Sequence, residues 1–227
     1  MTTVGLLRPE GHPEDDYRRI ETLLDGDVRV DPVVYGGPDA DPGRLAAGAD
    51  RLRLAGADAV VWASAGESFA QGWQGARERA RSLALAAGIP ASSTAIGFAH
   101  AVRAVGATRV VVAGGRPEEV AAAARFLGEA GITVVGEWRV PGGLPLPELV
   151  RAADDPGAEA VLVPDTAVPT VAEVAEAEAA AGKPVLTGTL VTVWEGLRLA
   201  ERHGAWAKEL GALFVRRGPR DVWEPGE

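Results

Sequence analysis

The chain has 227 residues, of which 47% are hydrophobic, and carries 23 basic against 32 acidic side chains for a formal charge of −9. That length is enough for one large domain or two small lobes with a substantial core, while interspersed charge of net negative sign excludes a basic stripe for nucleic acid. The absence of cysteine removes disulfides, thiolate metal sites and thiol nucleophiles together.

Short β-branched runs alternate with Ala/Leu/Arg/Glu stretches of helical period, the pattern of a parallel sheet covered on both faces. In chain order, the pattern predicts strand 4–8, helix 13–24, strand 28–34, helix 42–55, strand 59–63, helix 67–87, strand 89–92 and helix 95–105. The second half predicts strand 109–113, helix 117–130, strand 133–140, helix 145–153, strand 160–163, helix 170–181, strand 184–187 and helix 190–203. Several helices open with Pro in the first turn, where its missing N–H costs nothing, and several stop at Gly56, Gly88, Gly106, Gly131 or Gly182. The tail from Gly204 is rich in Gly, Pro and charge, with Trp206, Phe214 and Trp223 as its large anchors; it is expected to be partly ordered against a neighbour.

The two halves repeat one plan. Asp58-Ala59-Val60-Val61-Trp62-Ala63-Ser64 matches Glu159-Ala160-Val161-Leu162-Val163-Pro164-Asp165, and Ala87-Gly88-Ile89-Pro90 matches Ala181-Gly182-Lys183-Pro184. The expected fold class is therefore α/β with two pseudo-symmetric Rossmann-like lobes, each a short parallel sheet flanked by helices. The division expected is 1–95 plus 190–227 for the first lobe with its tail, and 96–189 for the second. A duplicated unit of this kind offers a cleft at the carboxyl ends of both sheets, where helix N-termini favour anions.

Apolar stretches fall well short of the roughly 20 residues a spanning helix needs, and the N-terminus enters Val4-Gly5-Leu6-Leu7 without a signal-peptide pattern; a cytoplasmic protein without membrane partners is expected. His12, His100 and His203 lack the spacing of metal motifs, and Gly114-Gly115 is not the Gly-x-Gly-x-x-Gly fingerprint of nucleotide binding, so neither metal nor cofactor is expected.

Polar residues directly after the strands are the candidate cleft lining: Arg8-Pro9-Glu10-Gly11-His12, Ser64-Ala65-Gly66-Glu67-Ser68 and Ser92-Ser93-Thr94 from the first half, and Gly114-Gly115-Arg116, Asp165-Thr166-Ala167 and Thr187-Gly188-Thr189 from the second. Small residues and hydroxyls dominate, which suits a carboxylate or other small anion.

These segments, in this order, resemble the Asp/Glu racemase superfamily, in particular its maleate cis-trans isomerase and arylmalonate decarboxylase branch. The resemblance runs from Val4 to about His203. It rests on Gly5-Leu6-Leu7-Arg8-Pro9, on Asp58-Ala59-Val60-Val61 leading to Ser64-Ala65-Gly66-Glu67-Ser68-Phe69 and Gly72, on Ile89-Pro90 with Ser92-Ser93-Thr94-Ala95 and the segment 102–110, and on Gly182-Lys183-Pro184-Val185 with Trp194 and Leu197-Arg198-Leu199. It implies a cofactor-independent enzyme that forms an enediolate-like carbanion beside a carboxylate, and a homodimer or higher homo-oligomer. It also implies a cysteine after one strand of each lobe, positions at which this chain has Ser64 and Asp165. The carboxylate-binding Asn of the isomerases falls at His12, and the tyrosine after the fifth strand at Arg116.

With no thiol, Asp165 and Ser64 are the catalytic candidates, and His12, Pro9, Ala65, Gly66, Glu67, Ser93, Thr94, Arg116, Thr166, Thr187 and Thr189 the substrate-binding ones. Ser64 requires an adjacent base to act as a nucleophile and is read first as a hydrogen-bond donor. For Asp165 to hold a proton at neutral pH its pKa must rise by roughly 3 units, which burial beside a substrate carboxylate supplies. Blander roles stand beside these. Asp165, Ser92, Ser93, Thr94 and Thr189 are also read as helix caps, Glu67 as a solvated first-turn acid and His12 as an exposed loop residue. Arg116 either clamps a carboxylate or points to solvent beside Glu118 and Glu119, and His100 and His203 are structural or exposed. Trp62 and Trp194 are read as core or cleft wall, and Trp73, Trp138, Trp206 and Trp223 as candidates for a subunit interface.

Three functions remain open on these residues. The first is an isomerase or carboxy-lyase acting on a small carboxylate metabolite with Asp165 carrying the proton. The second is a catalytically silent or repurposed anion binder, and the third a new lyase, hydratase or cyclase reaction in secondary metabolism.

Overall fold

The computed structural model describes residues 1–11, 14–36, 41–139, 143–202 and 205–215. Four parallel strands, β1 (Thr2–Arg8), β2 (Val28–Val34), β3 (Ala59–Trp62) and β4 (Ala91–Ser93), form one sheet in the order β2-β1-β3-β4. Another four, β5 (Arg109–Gly114), β6 (Thr133–Arg139), β7 (Ala160–Val163) and β8 (Val185–Thr187), form a second in the order β6-β5-β7-β8. The duplicated plan read in the sequence thus becomes two sheets of identical strand order.

Central strands explain the β-branched runs. Every residue of β3 and β7 is buried, as expected of parallel strands covered on both faces. Leu6 and Val61 enter a core shared by both sheets, while their neighbours Leu7, Val60 and Trp62 enter a separate cluster with Leu45, Leu52 and Leu83; adjacent residues of a strand point to opposite faces. The edge strands β2 and β6 bury fewer residues.

The helices are α1 (Glu14–Leu23), α2 (Pro42–Leu54), α3 (Ala65–Ala70), α4 (Gly72–Ala87), α5 (Thr94–Ala104), α6 (Pro117–Glu129), α7 (Leu146–Ala152), α8 (Val174–Ala181) and α9 (Gly188–Leu199). α4 and α8 end at Gly88 and Gly182 in the left-handed conformation, which glycine adopts without the Cβ penalty. Among the described residues, no helix is long and apolar enough to cross a membrane.

Three helices differ from the sequence reading; the last, expected over 190–203, runs from Gly188 to Leu199. The single helix expected over 67–87 is broken at Gly72 (φ +67°) into α3 and α4. The Glu129 carboxylate of α6 accepts the Trp73 N–H there at 2.7 Å, satisfying a donor at the new helix start. Phe69 of α3 and Trp73 of α4 both meet the ring of Phe126, edge-on, at 5.2 and 5.4 Å. Trp73, a candidate for a subunit interface, is thus half-buried within the molecule. The helix expected from Thr170 starts at Val174, because the Thr170 N–H donates to Asp16 of α1 and its hydroxyl to Thr187 at 2.9 Å.

The final helix crosses back onto the first sheet, where α9 packs against β1, β3 and β4 and, on its other side, against α5. Gly196 makes this approach close: a Cβ there would collide with the Val4 side chain. Overpacking a tight core costs about 1–3 kcal/mol, so Gly196→Ala is expected to lower stability by that amount in urea denaturation. An unchanged midpoint would mean that α9 is not seated on β1 as described.

Candidate functional site

The two catalytic candidates follow corresponding strands of the two sheets, Ser64 after β3 and Asp165 after β7. Ser64 follows β3 at the N-cap position of α3, yet its hydroxyl makes no cap bond; it is buried (6% exposed) and hydrogen-bonds the Tyr35 side chain. The Tyr35 hydroxyl donates to Glu67 Oε2 at 2.9 Å and lies 3.4 Å from the Trp62 indole nitrogen. Burial, first, and the Glu67 carboxylate push the Tyr35 hydroxyl well above its usual range. Glu67 is a half-buried acid in the first turn of α3. It anchors a Glu67–Tyr35–Ser64 chain in which tyrosine, not the carboxylate, faces the serine.

Asp165 follows β7 and is half-buried. Its Oδ1 accepts the Ala167 N–H at 2.8 Å, an Asx turn, and among the described residues Oδ2 accepts no hydrogen bond. Asp165 does not cap α8, which begins at Val174 with Glu173 at its N-cap.

The lobes meet where α3 packs on α6. A Cβ on Gly66 would lie 2.5 Å from Glu119 Oε1, so Gly66 contributes space for a carboxylate of the opposite lobe. Glu119 pairs with Arg116 at 2.5 Å. Its carboxyl is held above the ordinary value, first by burial and then, against the pull of Arg116, by the charges of Asp165 and Glu118. The charge of Asp165 is thus felt at Glu119, the carboxyl of the second lobe that lies against Gly66 of the first. Arg116 is exposed and pairs with Glu119 through Nη2.

The remaining candidates divide. The Ser93 side chain caps α5 by accepting the Ile96 N–H at 3.3 Å. The Thr94 hydroxyl lies 2.7 Å from that of Thr192, whose own proton goes to the Gly188 carbonyl. The Thr94–Thr192 contact joins α5 to α9, while Thr187, at the start of α9, accepts from Thr170 in the segment before α8. Thr189 is fully buried and its hydroxyl has no partner among the described residues. Ala65 and Thr166 are buried and Pro9 is half-buried beside the strand ends; His12 lies outside the described residues.

Similar architecture is found in known proteins. A solved arylmalonate decarboxylase matches with 27% sequence identity and a TM-score of 0.81, covering 93% of this chain and 98% of that one. This is the arylmalonate decarboxylase fold. The arylmalonate decarboxylase family model matches residues 31–138, and no curated protein matches the sequence. The maleate isomerase of Pseudomonas putida S16, solved with maleate, shares the fold at 19% identity, a TM-score of 0.79 and coverage of 94% of this chain and 97% of that one. A Nocardia farcinica maleate cis-trans isomerase bearing a covalently bound succinylcysteine intermediate does so at 18% identity and 0.73, with coverage of 92% and 98%.

Within the arylmalonate decarboxylase fold, two site residues of this chain escaped the sequence reading. Tyr35 directly follows β2, so the strand-end rule finds it when applied to every strand. Glu119 is three residues beyond Arg116 in the first turn of α6, where an acid reads as a dipole partner; only the packing of α3 on α6 marks it out.

Proposed function

We propose that this chain is a cofactor-independent enzyme of isomerase or carboxy-lyase type that acts on a small carboxylate through an enediolate-type intermediate, with Asp165 carrying the proton. The observation that supports this most directly is the coupling of Asp165 to Glu119 beside Gly66. Burial first, and the Asp165 charge after it, let the Glu119 carboxyl keep its proton to higher pH than usual, which places a proton within reach of the pair. In the decarboxylation direction, the bond from the α-carbon to one carboxylate breaks and carbon dioxide leaves. The electron pair enters the enediolate of the remaining acid group, and the α-carbon takes the proton from Asp165, which solvent or Glu119 restores. Ser64 lies on the opposite lobe, tied to Tyr35 and Glu67, and serves as a hydrogen-bonding group. Acid/base equipment on one side fits single-faced protonation better than racemisation, which needs a group on each face.

The test is turnover of a panel of small acids, including arylmalonates and maleate, in deuterated water. Loss of carbon dioxide with one deuterium incorporated on one face supports the reading; α-exchange on both faces without carbon loss overturns it in favour of a racemase. Glu119→Gln keeps a neutral donor but cannot titrate. Activity of the parent is expected to fall as pH rises through the raised Glu119 titration, and this limb is expected to vanish in the variant with less than about tenfold loss at low pH. Loss at every pH would transfer the proton role from Asp165 to Glu119.

One observation favours a silent anion binder instead: Arg116 is already paired with Glu119, so a substrate carboxylate has to compete with that carboxylate for the guanidinium. Measurable ligand affinity without turnover of any acid in the panel would support that second reading.

A further inference from the structure

A cavity of about 390 Å³ lies between α4, α5 and the end of α9, on the far side of β4 from Ser93. Arg77, Arg81, Arg103 and Arg198 line it together with His100, and no carboxylate does. In a chain of net charge −9, Arg77 and Arg81 of α4 with Arg103 of α5, whose Nη2 also donates to the Ala130 carbonyl at 2.8 Å, concentrate a positive field around one concavity, while Arg198 is held at its edge by Glu195. Arg103 and Arg198 stand in the last turns of their helices, where the macrodipole favours cations. Arg77 and Arg81 have no such reason: they lie mid-helix in α4, four residues apart, an arrangement of like charges that destabilises a helix. Glu195, fully buried behind the cavity, is engaged by His100 and Arg198.

Two further features point to a ligand. Ser92 lines the inner end, is only 3% exposed, and its hydroxyl has no hydrogen-bond partner among the described residues; a buried hydroxyl left so is costly unless a water or ligand atom meets it. The wall between the arginines is apolar, made of Ala80, Ala84, Ile96 and Leu199 with the Trp73 ring at one side, over which Arg77 stacks at 5.6 Å. The volume is within the range of small-molecule sites and exceeds what an inorganic anion fills.

We propose that this cavity is a binding site for a small organic phosphate, separate from the site between the lobes. A tetrahedral dianion accepts guanidinium donors arriving from several helices at once, whereas a planar carboxylate matches one fork. The apolar wall takes the organic portion, and Ser92 donates to the phosphate or the atom that bridges to it.

Calorimetric titration of the full chain with phenyl phosphate, inorganic phosphate and phenylacetate at fixed ionic strength tests this. Phenyl phosphate is expected to bind most tightly, Arg81→Glu to weaken it by about tenfold or more, and Arg51→Glu, the same charge change on the exposed end of α2, to leave it unaltered. Arg81 is exposed on α4, so both variants are expected to fold, which circular dichroism checks. Four results overturn the proposal: absence of phenyl phosphate binding; equal weakening by Arg51→Glu; loss of binding on Arg116→Glu, which moves the ligand to the lobe junction; and displacement by a DNA duplex that binds more tightly, which makes the arginines a nucleic-acid contact.

Discussion

Asp165→Asn is expected to reduce turnover by about 10²–10⁴-fold, the contribution of a positioned general acid or base, while leaving stability within about 0.5 kcal/mol of the parent. The separation of the two effects comes from the two oxygens. Oδ1 accepts the Ala167 N–H that shapes the turn after β7, and the amide oxygen of Asn keeps that bond. Oδ2 makes no hydrogen bond among the described residues, and replacing it with an amide nitrogen removes the ability to exchange a proton. The substitution also removes a charge that raises the Glu119 carboxyl, so any residual activity is expected to lose its alkaline limb at lower pH than in the parent. Steady-state kinetics on the substrate found in the acid panel, with thermal denaturation of both proteins, measures each part. Undiminished turnover would remove Asp165 from the chemistry, and unfolding of the variant would make its role structural.

Glu195→Ala is expected to be the most destabilising single change, at about 3–5 kcal/mol, the cost of removing one partner of a buried ion pair. Glu195 is 0% exposed in the middle of α9. Arg198 donates to it through Nε at 2.7 Å and Nη2 at 2.9 Å, and His100 Nδ1 lies 3.1 Å from both of its oxygens. Burial alone pushes this carboxyl up, but the His100 charge and the Arg198 and His100 hydrogen bonds outweigh it and hold the pKa at about 2 against an ordinary 4.5. A depressed carboxyl contributes stability that is fully present above the unfolded value and is lost as pH falls through the folded one. The part of the gap between parent and variant that comes from the Glu195 charge is therefore expected to be lost as pH falls from about 4.5 to 2. Denaturant titrations at several pH values provide the check; a gap that persists at pH 2 would mean the destabilisation comes from the cavity and not from the lost charge.

Much of the fold is legible in the sequence because its causes are local or periodic. The β-branched runs at 59–63 and 160–163, the glycines that stop helices at 88 and 182, and the repeated segments read directly as two matched sheets. The positions of Ser64 and Asp165 after corresponding strands follow from the same repeat. The break at Gly72 was not legible, because an isolated glycine is tolerated within a helix at a cost of about 1 kcal/mol; the decision came from Glu129 and Phe126, more than fifty residues away. Nor was the delayed start of α8, since the Thr170 N–H was claimed by Asp16, 154 positions earlier.

What the residue string determined by itself, then, is the α/β class, the internal duplication, the absence of thiol chemistry and the strand-end residues from which a site is drawn. Only tertiary structure decided which of those residues share an environment: Glu119 against Gly66 and Asp165, Tyr35 between Ser64 and Glu67, and four arginines from three helices around one cavity. Periodicity and turn chemistry act over a few residues and leave a pattern in the chain. Desolvation and charge coupling act through space between segments distant in sequence, and leave none.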